Sequence, residues 1–169
     1  MNTDKSTETV FDTRAYRDAL GCFGTGVCVM LTETADGIVR GITANSFSSV
    51  SLHPPIILWS IDLQSDRRDF FVESETFSVN ILREDQQDYA RQFAKDMTAT
   101  LPEDQQARDW RKTPVFTGGL ASMVCETLWR QKAGDHIVIF GGVKSFRSET
   151  GSALGFFKGG YVPLTSGSE

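Results

Sequence analysis

The chain has little of what builds metal sites or disulfide frameworks: its 169 residues hold three cysteines and two histidines. Cys22, Cys28 and Cys125 form no C-x-x-C pair, and no grouping with His53 or His136 has zinc-ligand spacing, so no metal is expected. The odd cysteine count, the apolar neighbours of Cys28 and the lack of a signal peptide predict reduced core thiols and a cytoplasmic location. No apolar run approaches the roughly 20 residues that a membrane helix needs, so no membrane partner is expected. Basic residues number 17 against 22 acidic ones, and neither sign gathers into a block. A phosphate backbone would need a basic face, and nucleic acid is therefore not an expected partner. Also missing are G-x-G-x-x-G or P-loop glycines after a strand, and a serine in a nucleophile elbow. Any nucleotide must be held in another way, and hydrolysis has no support.

What is present is a chain of strand-length apolar runs separated by turn residues. At this length one core is expected, with a domain over 13–164 between flexible ends at 1–12 and 165–169. Thr13 to Leu20 reads as a short helix that Gly21 to Gly26 breaks. Val27 to Thr32 and Ile38 to Ala44 form a hairpin around Asp36-Gly37. Ile56 to Ile61 is continuously apolar and predicts a central strand buried on both faces. Ser65 is the expected N-cap of a helix over Asp66 to Glu73. A strand at Phe77 to Leu82 leads to a helix carrying Tyr89, Ala90, Phe93 and Ala94 on one side. The polar stretch from Thr98 to Lys112 has room for one short helix. Leu120 to Trp129 and His136 to Phe146 are strands around Gly134-Asp135, and Phe156 to Leu164 closes the chain. Six or seven strands with few, short helices predict a mainly β fold with peripheral helices, in the form of a barrel.

Three places could carry chemistry. Small and hydroxyl-bearing residues run from Gly41 to Ser51 at the exit of a strand, and they let a ligand approach the backbone. Main-chain N–H groups and hydroxyls there suit the polar edge of an isoalloxazine ring, although an ordinary Ser/Thr turn has the same composition. Ser60, Ser65 and Arg67 offer a phosphate cradle, or simply a helix cap. His136, after Gly134-Asp135, can hold a donor toward a ligand with Asp135 fixing its tautomer, or can be a surface histidine.

The ordered motifs Gly41-Ile42-Thr43-Ala44-Asn45-Ser46-Phe47-Ser48-Ser49-Val50-Ser51-Leu52-His53-Pro54-Pro55, Phe77-Ser78-Val79-Asn80-Ile81-Leu82, Gln92-Phe93-Ala94 and Gly134-Asp135-His136 resemble the short-chain flavin reductase family. These are the flavin reductase components of two-component monooxygenases, and the resemblance runs from about Tyr16 to Leu164. It implies an FMN-binding split β-barrel and a homodimer. It also implies hydride transfer from NADH or NADPH to FMN or FAD, with the reduced flavin passing to a monooxygenase. By motif position, Thr43, Ala44, Asn45 and Ser46 would line the isoalloxazine. Ser60, Ile61, Ser65 and Arg67 would meet the ribityl chain and phosphate, and Phe93 and Ala94 would close over the flavin. His136 matches the family histidine at the nicotinamide, with Phe157 and Tyr161 in the segment bordering it. The family commonly has Asp where His53 stands, Thr or Ser near Arg67, and Glu where Gly142 stands.

Such chemistry needs positioning rather than a general acid or nucleophile, because the two cofactors supply the reactivity. No catalytic side chain is therefore expected. The alternatives on the same barrel are a flavin-binding electron carrier and a flavoenzyme that reduces another acceptor.

Overall fold

β-branched and aromatic residues concentrate in the runs between turns, and in the computed structural model, which describes residues 11–165, these runs become strands. Most of the expected flexible ends, at 1–12 and 165–169, lies outside the described residues. In chain order the elements begin with helix α1 (Thr13–Leu20), β1 (Thr25–Gly26), β2 (Cys28–Glu33), β3 (Val39–Ala44), β4 (Ser48–Leu52) and β5 (Pro55–Asp62). Helix α2 (Arg68–Glu73), β6 (Thr76–Ile81) and helix α3 (Gln87–Lys95) follow. Then come β7 (Gln106–Arg108), β8 (Pro114–Phe116) and the long pair β9 (Ala121–Ala133) and β10 (His136–Ser148). The last hairpin is β11 (Ala153–Phe157) and β12 (Gly160–Leu164). Single 3-10 turns occupy Glu103–Gln105 and Trp110–Lys112.

Seven strands form one sheet in the order β3-β2-β6-β9-β10-β5-β4, and every adjacent pair is antiparallel. The two edges, β3 and β4, are separated in sequence only by Asn45, Ser46 and Phe47. So short a link spans at most about 14 Å. The edges must therefore be drawn together and the sheet curls into a barrel. No ladder joins β3 to β4, so the barrel is split along this seam: the fold is mainly β, a split barrel with helices outside it.

One core fills the barrel, with Met30, Trp59, Phe71, Phe77, Val79 and Ile139 buried together. A second lies between the barrel wall and α3, built on Val29, Leu31, Leu82, Ala90, Phe93 and Phe116. β2 faces both, so Cys28 and Met30 point inward while Val29 and Leu31 meet the helix layer. This corrects the expectation for Ile56 to Ile61. β5 is next to an edge, and its residues alternate between buried and half-buried. Consecutive buried residues occur instead in β2 and in the middle of β6, and the outward Val29 and Leu31 of β2 pack into the layer that holds α3.

Two other expectations shift. The helix expected from Asp66 starts at Arg68, with no side-chain cap; the Ser65 hydroxyl instead accepts the N–H of Arg67 at 3.3 Å in the preceding turn. Within the Gly41 to Ser51 run, whose composition also suits an ordinary turn, an edge strand begins at Ser48 and continues to Leu52, with an irregularity between Ser49 and Ser51. Its exposed Val50 and Leu52 give no inward-facing pattern to read. Among the described residues no helix is long and apolar enough to cross a membrane.

Candidate functional site

The seam opens into a cavity of about 550 Å³. One wall is the end of β3 and the link after it, from Ile42 to Ser46; the opposite wall is β5 from Trp59 to Asp62. The turn from Gln64 to Arg67 closes one end, Ala94 of α3 reaches in from above, and His136 stands at the rim. Thr43, Ala44, Asn45, Ser46, Ser60, Ile61, Ser65, Arg67, Ala94 and His136, far apart in sequence, thus line one space.

The hydroxyls expected to meet a ligand are largely engaged elsewhere. Thr43 Oγ1 donates to the Ala90 carbonyl at 2.7 Å, which ties β3 to α3. Ser46 Oγ donates to the Ser60 carbonyl at 2.9 Å and accepts the Ser60 N–H at 3.0 Å, so a single side chain stitches the link to β5. The main-chain N–H groups of Asn45, Ser46 and Phe47 make no hydrogen bond to main chain among the described residues. Those of Asn45 and Ser46, which line the cavity, rather than the hydroxyls, are the donors left for a polar ring edge.

At the opposite end, Arg67 is only 4% exposed. One guanidinium nitrogen donates to the Ala94 carbonyl at 3.3 Å, while Nε is buried without a hydrogen-bond partner. Its nearest carboxylate, Asp66, is mostly exposed and 3.7 Å away. Burying a cation beside so loose a counter-charge costs stability. A guanidinium of this kind fits a phosphate, which offers several acceptors at once. Ile42, Ala44, Ile61 and Ala94 give the walls between the two ends apolar surface. The residues present therefore fit a flat ring with a polar edge joined to a phosphate.

His136 opens β10, and its Nδ1 lies 2.7 Å from Asp135 Oδ1. The hydrogen bond from His136 is the largest of several influences that hold the Asp135 carboxyl below the usual carboxylate range. An ionised Asp135 keeps the proton on Nδ1 and turns Nε2 outward as the free position.

Three expected residues lie elsewhere. Phe93 is buried in the outer core and does not line the cavity. Successive helical residues differ by about 100° around the axis, so Ala94 faces the cavity while Phe93 packs against the sheet. Phe157 does not line it either: it is 40% exposed near Gly24. Its neighbour Phe156 points toward the Thr43 to Asn45 segment and, with Tyr161, lines a small adjoining cavity of about 160 Å³. Strand residues alternate in direction, and a one-residue step exchanges the faces. Gln64 and Asp66 were not expected in the lining; the turn containing them is placed by the Leu63 N–H donating to the Asp135 carbonyl at 2.9 Å, a tertiary contact that no local pattern announces.

Comparison with known proteins bears on the family and the fold. A family model described as "Flavin reductase like domain" matches residues 20–165. The chain is 39% identical over 159 residues to a probable flavin reductase of Rhizobium meliloti (strain 1021), covering 92% of this chain and 50% of that protein. It is 37% identical to the FMN reductase (NADH) SmoA of Agrobacterium fabrum, covering 89% of this chain and 85% of that one. The solved structure of the flavin reductase PheA2 superposes with a TM-score of 0.82 at 36% identity, over 92% of this chain and all of that one. The chain spans about half the length of the first curated relatives it matches, 50% and 48% of them. With the seam cavity, the split barrel and these matches in hand, the chain belongs to the flavin reductase like domain family.

Proposed function

We propose that the chain is an NAD(P)H:flavin oxidoreductase that reduces FMN or FAD and supplies it to a partner monooxygenase. The observation that carries this reading is the complementarity of the cavity's ends: unpaired N–H groups at Asn45 and Ser46 and a buried, under-partnered guanidinium at Arg67. The names of relatives support it, including the FMN reductase (NADH) SmoA and the reductase component of a trigonelline monooxygenase of Acinetobacter baylyi.

A flavin held here would supply the hydride-accepting chemistry and a reduced nicotinamide the hydride, and this chain's task would be to hold the two rings in register. The N–H groups of Asn45 and Ser46 would donate to the polar ring edge, where a fixed dipole best stabilises added negative charge. Ile42, Ala44, Ile61 and Ala94 exclude water from the ring's apolar surface. Ser60, Ser65 and Arg67 hold the ribityl chain and phosphate. His136, fixed through Nδ1 by Asp135, presents Nε2 to the nicotinamide, and Tyr161 with Phe156 borders that side. No side chain acts as acid or nucleophile.

The working unit is a single domain over 13–164 acting as a homodimer. Exposed Val50, Leu52 and Phe146 on β4 and β10 supply apolar surface for a second copy. The unpaired thiols of Cys28 and Cys125 suit the reducing cytoplasm. Anaerobic oxidation of NADH and NADPH with FMN, FAD and riboflavin in turn tests the activity. Flavin-dependent oxidation is expected, and no oxidation with any flavin overturns the reading. Light scattering in solution should return the mass of a dimer.

A further inference from the structure

Helix α3 brings Ala94 to the cavity, yet its C-terminal end has no left-handed cap. Asp96 follows it in an extended conformation, and the Asp96 N–H takes the Gln92 carbonyl. An end of this kind leaves carbonyls to be satisfied from outside the helix. Two arginines from other elements do so. Arg67, in the turn before α2, donates to the Ala94 carbonyl at 3.3 Å. Arg40 of β3 donates to the Met97 carbonyl, also at 3.3 Å, and its guanidinium lies 5.4 Å over the Phe70 ring of α2. Both cations sit at the negative end of the helix dipole.

The two arginines differ in what else they face. Arg40 borders a separate cavity with Asp36 and Glu73, whereas Arg67 lines the seam cavity. A guanidinium carries five N–H donors in one plane. Arg67 commits Nη1 to the helix carbonyl, and its Nε is buried without a partner among the described residues. The free edge can therefore take two phosphate oxygens while Nη1 stays on Ala94. With only the exposed Asp66 carboxylate nearby, at 3.7 Å from Nε, the guanidinium is loosely fixed, and so is its grip on α3. The Asp96 carboxyl is held below the usual carboxylate range first by the Thr98 hydroxyl and least by the Arg67 charge, which sets that charge beside the helix end.

We propose that Arg67 is a positioning residue as well as a phosphate contact: when it holds a phosphate on its free edge it is fixed against the Ala94 carbonyl and clamps the end of α3 over the ring site. Hydride transfer, and not flavin affinity alone, then depends on the phosphate, a group remote from the reacting ring whose binding energy is spent on orientation. The proposal rests on the flavin reductase reading in that a phosphate-bearing flavin occupies the cavity.

Inorganic phosphate is the probe. In the chain without flavin, it should slow hydrogen exchange at the Asp96 and Ala99 amides by about fivefold relative to chloride at equal ionic strength, the worth of one firmer hydrogen bond. Arg67→Met should abolish that protection. Arg67→Lys, which keeps the charge in a single-point donor, should bind phosphate yet leave the two amides unprotected. Anaerobic turnover with saturating riboflavin should show a kcat at least about tenfold below that with FMN. Added phosphate should raise the riboflavin kcat in the wild type and not in either variant. Exchange that ignores phosphate, or that slows equally in the variants, overturns the proposal. So does riboflavin turnover at the FMN kcat, or turnover that phosphate leaves unchanged. Failure of the wild type to oxidise NADH or NADPH with any flavin would instead sink the activity, and the exchange measurement would still judge the clamp.

Discussion

The ring of Phe93 fills the space in front of Gly41. A Cβ at Gly41 would lie 2.6 Å from Phe93 Cδ1 and Cε1, and 2.9 Å from Leu31 Cδ2. The small residue at 41 therefore serves the approach of α3 to β3, not the approach of a ligand to the backbone. Gly41→Ala should destabilise the fold by about 1–3 kcal/mol, the usual range for overpacking a filled core. It should also weaken flavin binding, because α3 carries both Ala94 at the cavity and the carbonyl that receives Thr43. Urea unfolding with an unchanged slope and a lower midpoint is the expected record.

Arg67 should discriminate between phosphorylated and unphosphorylated flavins. Arg67→Met keeps apolar volume and removes the charge, so FMN affinity should fall by about ten- to a hundredfold, the worth of one or two charge-assisted contacts. Riboflavin affinity should change little. Quenching of flavin fluorescence measures both, and an equal loss for the two ligands would mean that Arg67 supports the cavity without meeting phosphate.

His136→Ala should raise the KM for NADH more than it weakens flavin binding. The pH dependence follows from Asp135. Its lowered folded pKa means that its contribution is complete above the ordinary carboxylate value of about 3.9 and is lost only as the pH falls through the lowered value. From about pH 5 upward the carboxylate stays ionised, so Asp135→Asn should raise the KM for NADH by a similar factor throughout that range. An effect of Asp135→Asn confined to one end of it would place the titrating group elsewhere.

Cysteine reactivity should divide cleanly. Burial pushes the thiols of Cys28 and Cys125 up to about 12, whereas Cys22 is exposed. Near pH 8 a thiol reagent should label one cysteine in the native protein and all three after unfolding. Rapid native labelling of more than one would show that the barrel core opens readily.

Local features of the fold were the ones legible in sequence. Asp12 caps α1 by accepting two main-chain N–H groups, and the helix spans Thr13–Leu20 as its pattern predicts. The hairpin around Asp36-Gly37 and the turn at Gly134-Asp135 likewise depend on neighbours in the chain. Orientation was harder to read. Phe93 against Ala94, and Phe157 against Phe156, are each decided by a single residue step, and both members of the second pair are phenylalanine. The engagement of Thr43 with Ala90, and of Ser46 with Ser60, is tertiary, so composition suggested main-chain and hydroxyl donors alike and could not show that these two hydroxyls are taken up. Arg17 and Lys158 come to line one cavity only through the docking of α1 on the last hairpin, and neither sits in a motif.

The unladdered seam between β3 and β4 makes substrate and scaffold thermodynamically inseparable. A ligand seated there spans from the end of β3 and its link to β5, two walls otherwise stitched together by Ser46. Whatever binds only the folded barrel adds RT ln(1 + [L]/Kd) to its stability, so each release of ligand returns that increment. The melting temperature should therefore climb with flavin concentration, and hydrogen exchange should slow first at Asn45 and Ser46 and along the facing part of β5.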